Sequence, residues 1–333
     1  MNKLKQIGLS ALAGSLAVAT ASNAVEYSLT GDAYVVFSTE DSTTAEANSG
    51  KHFAADMDLY TNASTELDNG FTVSFFQGIN TNSTMAVTTA QVTLGMGSLG
   101  TLQLNEDGGS KANAIDDVMP YAMQETWDRV ADINSTNPSF FGADTAQGSV
   151  DYRIPTQEIA GLTVNFAATY DPNIGEESSN ASSGGLATNV SGDAYVLQVS
   201  AMGLEVGLGQ ENLANGQGLA AGTDEENTTG YVKYSNGPIS IGYQEAYADN
   251  RHAQGTLGAD NEAEFWGIKY SADGIAVSYA ESEYLTKAQA GNAASLTQEL
   301  EAIQASYTMV SMTIMASLSE GSNIAAAAQN YEE

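Results

Sequence analysis

The sequence predicts an all-β fold: an antiparallel, transmembrane β-barrel of sixteen strands, about fifteen of them visible in the pattern. Three observations predict it. Apolar and polar residues alternate with period two along most of the chain, which places them on opposite faces of strands. The connections sort into short turns and long polar loops that take turns after the first strand, as in barrels that keep their short turns on one side of a membrane. The polar face also carries Glu26, Asp32, Asp56, Asp58, Asn62 and Asp151. Such groups are costly in a dry core and well placed against a water-filled lumen. A soluble β-sandwich would share the alternation but not the sorted connections.

The first residues stand outside this pattern. Lys3 and Lys5 precede a short apolar stretch, Ile7 to Val18, and Ser22-Asn23-Ala24 is a small-x-small site. Residues 1–24 are therefore expected to be a cleaved secretory signal peptide, with the barrel occupying 25–333. The 333 residues hold 41 acids against 10 cations, a net charge of -31. That excludes nucleic acid as a partner, since it needs a basic footprint, and favours cations. There are no cysteines, so neither disulfides nor thiolate chemistry contributes.

Taken in order, Val25 to Ser38 puts Val25, Tyr27, Leu29, Ala33, Val35 and Phe37 on one parity. A polar loop leads to a strand near Phe53 to Leu67. Asp68-Asn69-Gly70 then turns the chain into Phe71 to Ile79, because Asn-Gly tolerates the positive φ of a hairpin. Thr88 to Leu94 and Leu99 to Asn105 meet at Gly95 to Ser98. After a long loop, Gly148 to Pro155 sets Val150, Tyr152 and Ile154 against Asp151 and Arg153, and Leu162 to Tyr170 follows Gly161. Four further pairs meet at Met202-Gly203, Asn236-Gly237-Pro238, Ala272-Asp273-Gly274 and Thr308-Met309. All five prolines fall in loops or at strand ends. Tyr152, Tyr170, Tyr231, Tyr234, Tyr243, Tyr270, Tyr279, Tyr284 and Tyr307 sit near strand ends, where aromatic girdles anchor a barrel in lipid.

The long loop, Glu106 to Ala146, is the candidate functional segment. A connection of this length is expected to be functional. It carries Glu106, Asp107, Asp116, Asp117, Glu125, Asp128, Asp132 and Asp144 against Lys111 and Arg129. Ile115, Val118, Ala122, Thr126, Val130 and Ile133 recur every three or four residues and predict a short helix, bent or bounded by Pro120. Asp116, Asp117, Asp128 and Asp132 offer carboxylate oxygens for weak Ca2+ binding, although no EF-hand spacing is present and solvated acids explain them equally well. No cofactor is expected. His52 and His252 have no ligand-like or triad spacing, so neither a zinc site nor enzymatic activity is expected.

Three segments carry a family resemblance. Glu66-Leu67-Asp68-Asn69-Gly70-Phe71 resembles a second-strand turn. Gly97-Ser98-Leu99-Gly100-Thr101-Leu102-Gln103-Leu104 resembles the entry to a long third loop. Gly148 to Pro155 with Gly161-Leu162-Thr163-Val164 resembles the strand and hairpin after it. The family is the Gram-negative general porins. The resemblance implies an outer-membrane location, a third loop folded into the lumen, passive diffusion of ions and small hydrophilic solutes, and a homotrimer in outer-membrane lipid. Two departures stand out. Relatives end on a strand with a terminal aromatic, whereas this chain ends Asn330-Tyr331-Glu332-Glu333. The chain in hand is therefore expected to be C-terminally incomplete, its polar tail serving as the last extracellular loop. Relatives also face the loop's acids with an arginine cluster, but here Arg153, Lys233 and Lys269 are the lumen-wall candidates, with Lys51 near the first loop. A cation-preferring pore follows. A plugged structural or adhesive barrel with interacting surface loops is the alternative.

Overall fold

The computed structural model describes residues 14–15, 25–42, 50–81, 85–107, 109–126, 141, 145, 148–172, 191–214, 225–249, 260–286, 296–323 and 330–332. The strands are β1 (Glu26–Ser42), β2 (Gly50–Glu66), β3 (Thr72–Asn80), β4 (Ala86–Gly95), β5 (Thr101–Asp107), β6 (Ser149–Arg153), β7 (Gln157–Ile159), β8 (Leu162–Asp171), β9 (Ser191–Ala201), β10 (Leu204–Ala214), β11 (Glu225–Asn236), β12 (Ile239–Asp249), β13 (Asn261–Ala272), β14 (Ile275–Thr286), β15 (Leu296–Met309), β16 (Met312–Ser322) and β17 (Asn330–Glu332). All pair antiparallel in one sheet, each with its sequence neighbours except β6 with β7. β6 and β7 both pair with β8, as one wall position broken around Pro155. The wall thus has sixteen positions.

The sixteenth position corrects the expectation that the last strand is missing altogether. Asn330–Glu332 pairs with Glu320–Ser322 of β16, and Tyr331 and Glu332 pair with Ser42 and Asp41 of β1. Three residues are too few to show alternation, so only the partners reveal them. This short strand joins the ladder at its loop end alone. Of the segment expected to be a signal peptide, only Gly14 and Ser15 are described, and they bridge to Leu29 and Ser28. The expected cleavage site lies outside the described residues.

Burial is inside out relative to a soluble protein. On one face of most strands, many side chains are large, apolar and exposed, as with Val35 at 75%, Phe53 at 76% and Leu208 at 57%. The opposite parity holds the buried groups, many of them polar: Gln103, Asn105, Asp151, Glu211, Asn227, Gln244, Ser278, Ser282 and Gln304. The first face suits lipid and the second an aqueous interior. On the outer face, Tyr234, Tyr270 and Tyr307 stand near the short turns, and Tyr243, Trp266 and Tyr279 stand several residues higher. Tyr231 and Tyr284 correct the girdle reading. They share the inner parity and are 4% and 3% exposed, packed on the long loop.

Strands run further towards the long loops than the apolar pattern suggests. β11 starts at Glu225 and β10 continues to Ala214, because the ladder persists where both faces become polar. The short turns follow hairpin chemistry. Positive φ falls on Ala160-Gly161, Met202-Gly203 and Asp273-Gly274, the left-handed pair that a two-residue turn requires. The last short turn breaks the rule with Val310 at φ 55°, fully exposed. A β-branched residue is strained there, by about 1–2 kcal/mol. Val310→Gly should therefore raise stability by about 1 kcal/mol, allowing for the added freedom of the unfolded chain, read as a higher urea midpoint in lipid vesicles.

Candidate functional site: an acidic lumen and its folded loop

From Ser110 to Thr126 the described loop lies inside the barrel, and several of its backbone polar groups are satisfied by side chains of the inner wall. The Lys111 amide donates to Asp151 Oδ2 of β6 at 2.9 Å. The Val118 amide donates to Gln244 Oε1 of β12 at 3.0 Å, and Gln244 Nε2 donates back to the carbonyls of Ile115 and Asp116. The Ala122 amide reaches Ser278 Oγ of β14 at 2.8 Å. Gln304 of β15 accepts from the amides of Met123 and Gln124 and donates to the Gln124 carbonyl. Thr126 and Ser282 share a hydroxyl hydrogen bond. Thr145, near the loop's return, donates to Glu211 Oε1 of β10 at 2.7 Å.

These anchors explain why the expected helix is not seen in this part. Only a single 3-10 turn, Asn113–Ile115, forms among the described loop residues. A backbone whose amides already bond the wall has no need of internal partners. Val130 and Ile133 lie outside the described residues. Of the rhythm's apolar positions, Ile115 and Val118 pack inward, joined by Met119 and Phe141, which it did not include. Ile115, Met119 and Phe141 form a buried cluster with Ala194, Val196, Tyr231, Ala246, Ala263, Phe265 and Tyr284. The wall makes room with residues that lack side chains. A Cβ on Gly209 would lie 2.4 Å from Phe141 Cζ, and one on Gly242 would lie 3.0 Å from Met119 Sδ.

The loop's acids divide by role. Asp117 accepts from the Met119 amide at 2.8 Å and from the Tyr121 hydroxyl, and Asp116 accepts from the Asp117 amide. Asp116, Asp117 and Glu125 are half-buried, and all three act electrostatically on the Tyr284 hydroxyl of β14. Glu106 is placed elsewhere. It shares the parity of Leu102 and Leu104 on β5 and is exposed on the outer side, opposite the buried Gln103 and Asn105. Asp107 pairs by backbone with Ala90. Asp128 and Asp132 lie outside the described residues, as does His252. Among the described residues no group of three or more acidic, His or Cys side chains could hold a metal ion.

Two of the three expected wall cations are already paired. The Arg153 guanidinium bonds Asp151 at 2.8 Å, and Asp151 also accepts from the Lys111 amide and the Thr169 hydroxyl. Lys233 lies 3.3 Å from Glu205, directly across the β10–β11 ladder. Lys269 faces inward near a short turn, opposite Ser240 and Ser278. Lys51 shares the outer parity of Phe53. Asp151 and Glu211, each fully buried, are anchors for the loop rather than water-facing charges.

The wall that faces the loop was not anticipated as part of the site. The loop is centred on β12, and six and seven positions further round the ring of sixteen lie β1 and β2. There Asp58 sits directly across the ladder from Asp32, and Asp56 across from Tyr34. The Tyr34 hydroxyl and Asn80 Nδ2 each donate to Asp56 at 2.6 Å. Tyr60 stands between Asp32 and Asp58 and stacks on Phe76 at 6.1 Å. Like charges directly opposed on a sheet are destabilising, so this pair is not there for the ladder's sake. Parity placed these acids on the polar face; setting them opposite the loop required counting strands to the closing position.

Comparison with known proteins agrees with this architecture. A family model described as Gram-negative porin matches residues 8–332. No curated protein matches the chain. Among solved structures, OmpF of Salmonella typhi in complex with daunomycin is 15% identical, with TM-score 0.65 over 92% of this chain and 96% of that one. An anion-selective porin from Comamonas acidovorans is 13% identical, with TM-score 0.61 over 92% and 98%. OmpT, an outer-membrane protein of Vibrio cholerae, in its trimer form is 11% identical, with TM-score 0.62 over 94% and 98%.

Proposed function

The chain belongs to the Gram-negative porin family and is an outer-membrane channel protein; we propose that it is a water-filled, cation-preferring pore for passive diffusion of ions and small hydrophilic solutes, assembled as a homotrimer. One observation carries the selectivity: carboxylates stand on both sides of the lumen, Asp116, Asp117 and Glu125 on the loop and Asp32, Asp56 and Asp58 on the wall across from it, while Arg153 and Lys233 are each held by an acid. Acids between low-dielectric walls concentrate cations and repel anions. The trimeric form of the Vibrio cholerae neighbour supports the assembly state by likeness of fold.

Planar-bilayer recording tests the reading. In a tenfold KCl gradient the reversal potential should take the sign of a cation-selective channel, more strongly at low salt, where a Debye length of ~10 Å at 0.1 M lets wall charges span more of the lumen than ~3 Å at 1 M. An anion-selective potential would refute the selectivity. A folded protein with no conductance would restore the plugged-barrel reading.

A further inference from the structure

We propose that the outer wall of β8–β13 carries a binding groove for a cationic amphiphile, an acyl chain bearing an amine. A concavity of about 850 Å³ lies there, within the ~300–1,000 Å³ usual for small-ligand sites. Its lining is ordered along one cross-strand row. Phe166 pairs with Leu197, Leu197 with Leu208, Leu208 with Gly230, Gly230 with Glu245, and Glu245 with Glu264. Every one of these residues has the outer parity. Within the concavity the row therefore begins apolar, passes over a residue with no side chain, and ends in two carboxylates; beyond it the same row runs on to Glu283 and Glu299. Glu262 extends the acidic end, next to Glu264 and across from Tyr247. Gly230 makes the floor; a Cβ there would lie 3.3 Å from Leu208 Cδ2.

Depth specifies the sign of the occupant's charge. Glu245 is six residues from Ile239 at the short turn. At ~3.4 Å per residue and a tilt of ~40°, that is about 15 Å of height, inside the ~25 Å that an outward apolar band usually covers. Outward acids at such a level need compensation. The Tyr243 hydroxyl donates to Glu245 at 2.5 Å and reaches Glu264 at 3.3 Å, but one phenol cannot neutralise two carboxylates. Among the described residues of β8–β13, no Lys or Arg has the outer parity; Lys233 and Lys269 have the inner parity. A positive headgroup on the acids, with its chain laid over Gly230 towards Leu208, Leu197 and Phe166, satisfies both ends of the groove.

The test uses the refolded full chain in neutral dodecyl maltoside micelles, titrated with dodecylamine, dodecyl sulfate, or dodecyl phosphate plus Mg2+, and read by native mass spectrometry. One dodecylamine should be retained per chain, saturably, and dodecyl sulfate should not. The E245Q/E262Q/E264Q variant should hold dodecylamine at least about tenfold more weakly, as expected for loss of ion pairs at a partly desolvated site. Gly230→Leu, which fills the floor and leaves the acids, should also weaken it. Equal retention of all three probes, or an unchanged affinity in the triple glutamine variant, overturns the proposal. Preferential retention of dodecyl phosphate with Mg2+ overturns it too, in favour of a cation-bridged anionic lipid. The readout is on the outer wall, so it is independent of the channel's ion preference.

Discussion

Replacing Asp32, Asp56 and Asp58 together by Asn should reduce the cation-over-anion permeability ratio by roughly five- to tenfold at 0.1 M salt, with little change in pore size. A unit charge ~4 Å from an ion is worth about 1 kcal/mol even at the dielectric of water, and it acts with opposite sign on cations and anions. Three such charges line one wall, and Asp32 and Asp58 are opposed across the ladder, so their fields add in the same part of the lumen. Removing them also relieves like-charge repulsion, so the barrel should fold at least as well. The D116N/D117N/E125Q variant should lower the ratio further, because those charges stand on the other side. Neutralising the outward pair Glu299 and Glu301 should leave the ratio unchanged. A ratio that survives the triple Asn substitution at intact conductance would move the selectivity away from this wall.

The barrel was legible in the sequence because period-two alternation reports a local property, the side of the sheet on which each residue falls. Val35, Phe37, Leu208 and Ile241 point outward where parity puts them, and the loop after β5 folds inward as the resemblance implies. What was not legible depends on contacts far apart in sequence. Tyr231 and Tyr284 look like girdle residues by position, and only their packing on Ile115, Met119 and Phe141 shows that they support the loop. Arg153 and Lys233 look like free wall cations until Asp151 and Glu205 are placed beside them. Glu106 counts with the acidic loop by sequence position, yet it continues the outer face of β5. Asp32, Asp56 and Asp58 needed the whole ring before they could be set opposite the loop. The helical rhythm found Ile115, Val118 and Thr126 on the packed side but not Met119 or Phe141, and over the described residues it missed the backbone, since a repeat of three to four records burial without recording which groups take the amides.

Detaching the loop from its wall should change the channel more than any single charge substitution. Gln244 is fully buried. It accepts from the Val118 amide and donates to the carbonyls of Ile115 and Asp116 and to Thr229. Gln304 holds Met123 and Gln124 in the same way about one turn of chain further on. Each hydrogen bond contributes about 1 kcal/mol net, and a loop amide or carbonyl left buried without its partner costs about 1–3 kcal/mol. In the Q244L/Q304L variant this cost falls on the loop and not on the ladder, whose backbone pairs are untouched. The loop is otherwise held by the Ile115, Met119 and Phe141 cluster, by Ser278 and Ser282, and by Asp151 and Glu211 at its two ends. The expected result is a loop tethered at its ends and loose in the middle. Single-channel recordings should show higher mean conductance with larger open-channel noise, and a lower cation preference, because Asp116, Asp117 and Glu125 would no longer be fixed in the lumen. Thermal stability of the barrel should stay close to that of the parent. Unchanged conductance and noise would show that the apolar cluster alone positions the loop. Rescue by Gln244 in the single Q304L variant would rank the two anchors, with Gln244 expected to dominate because it binds backbone groups on both sides of the turn at Asp116.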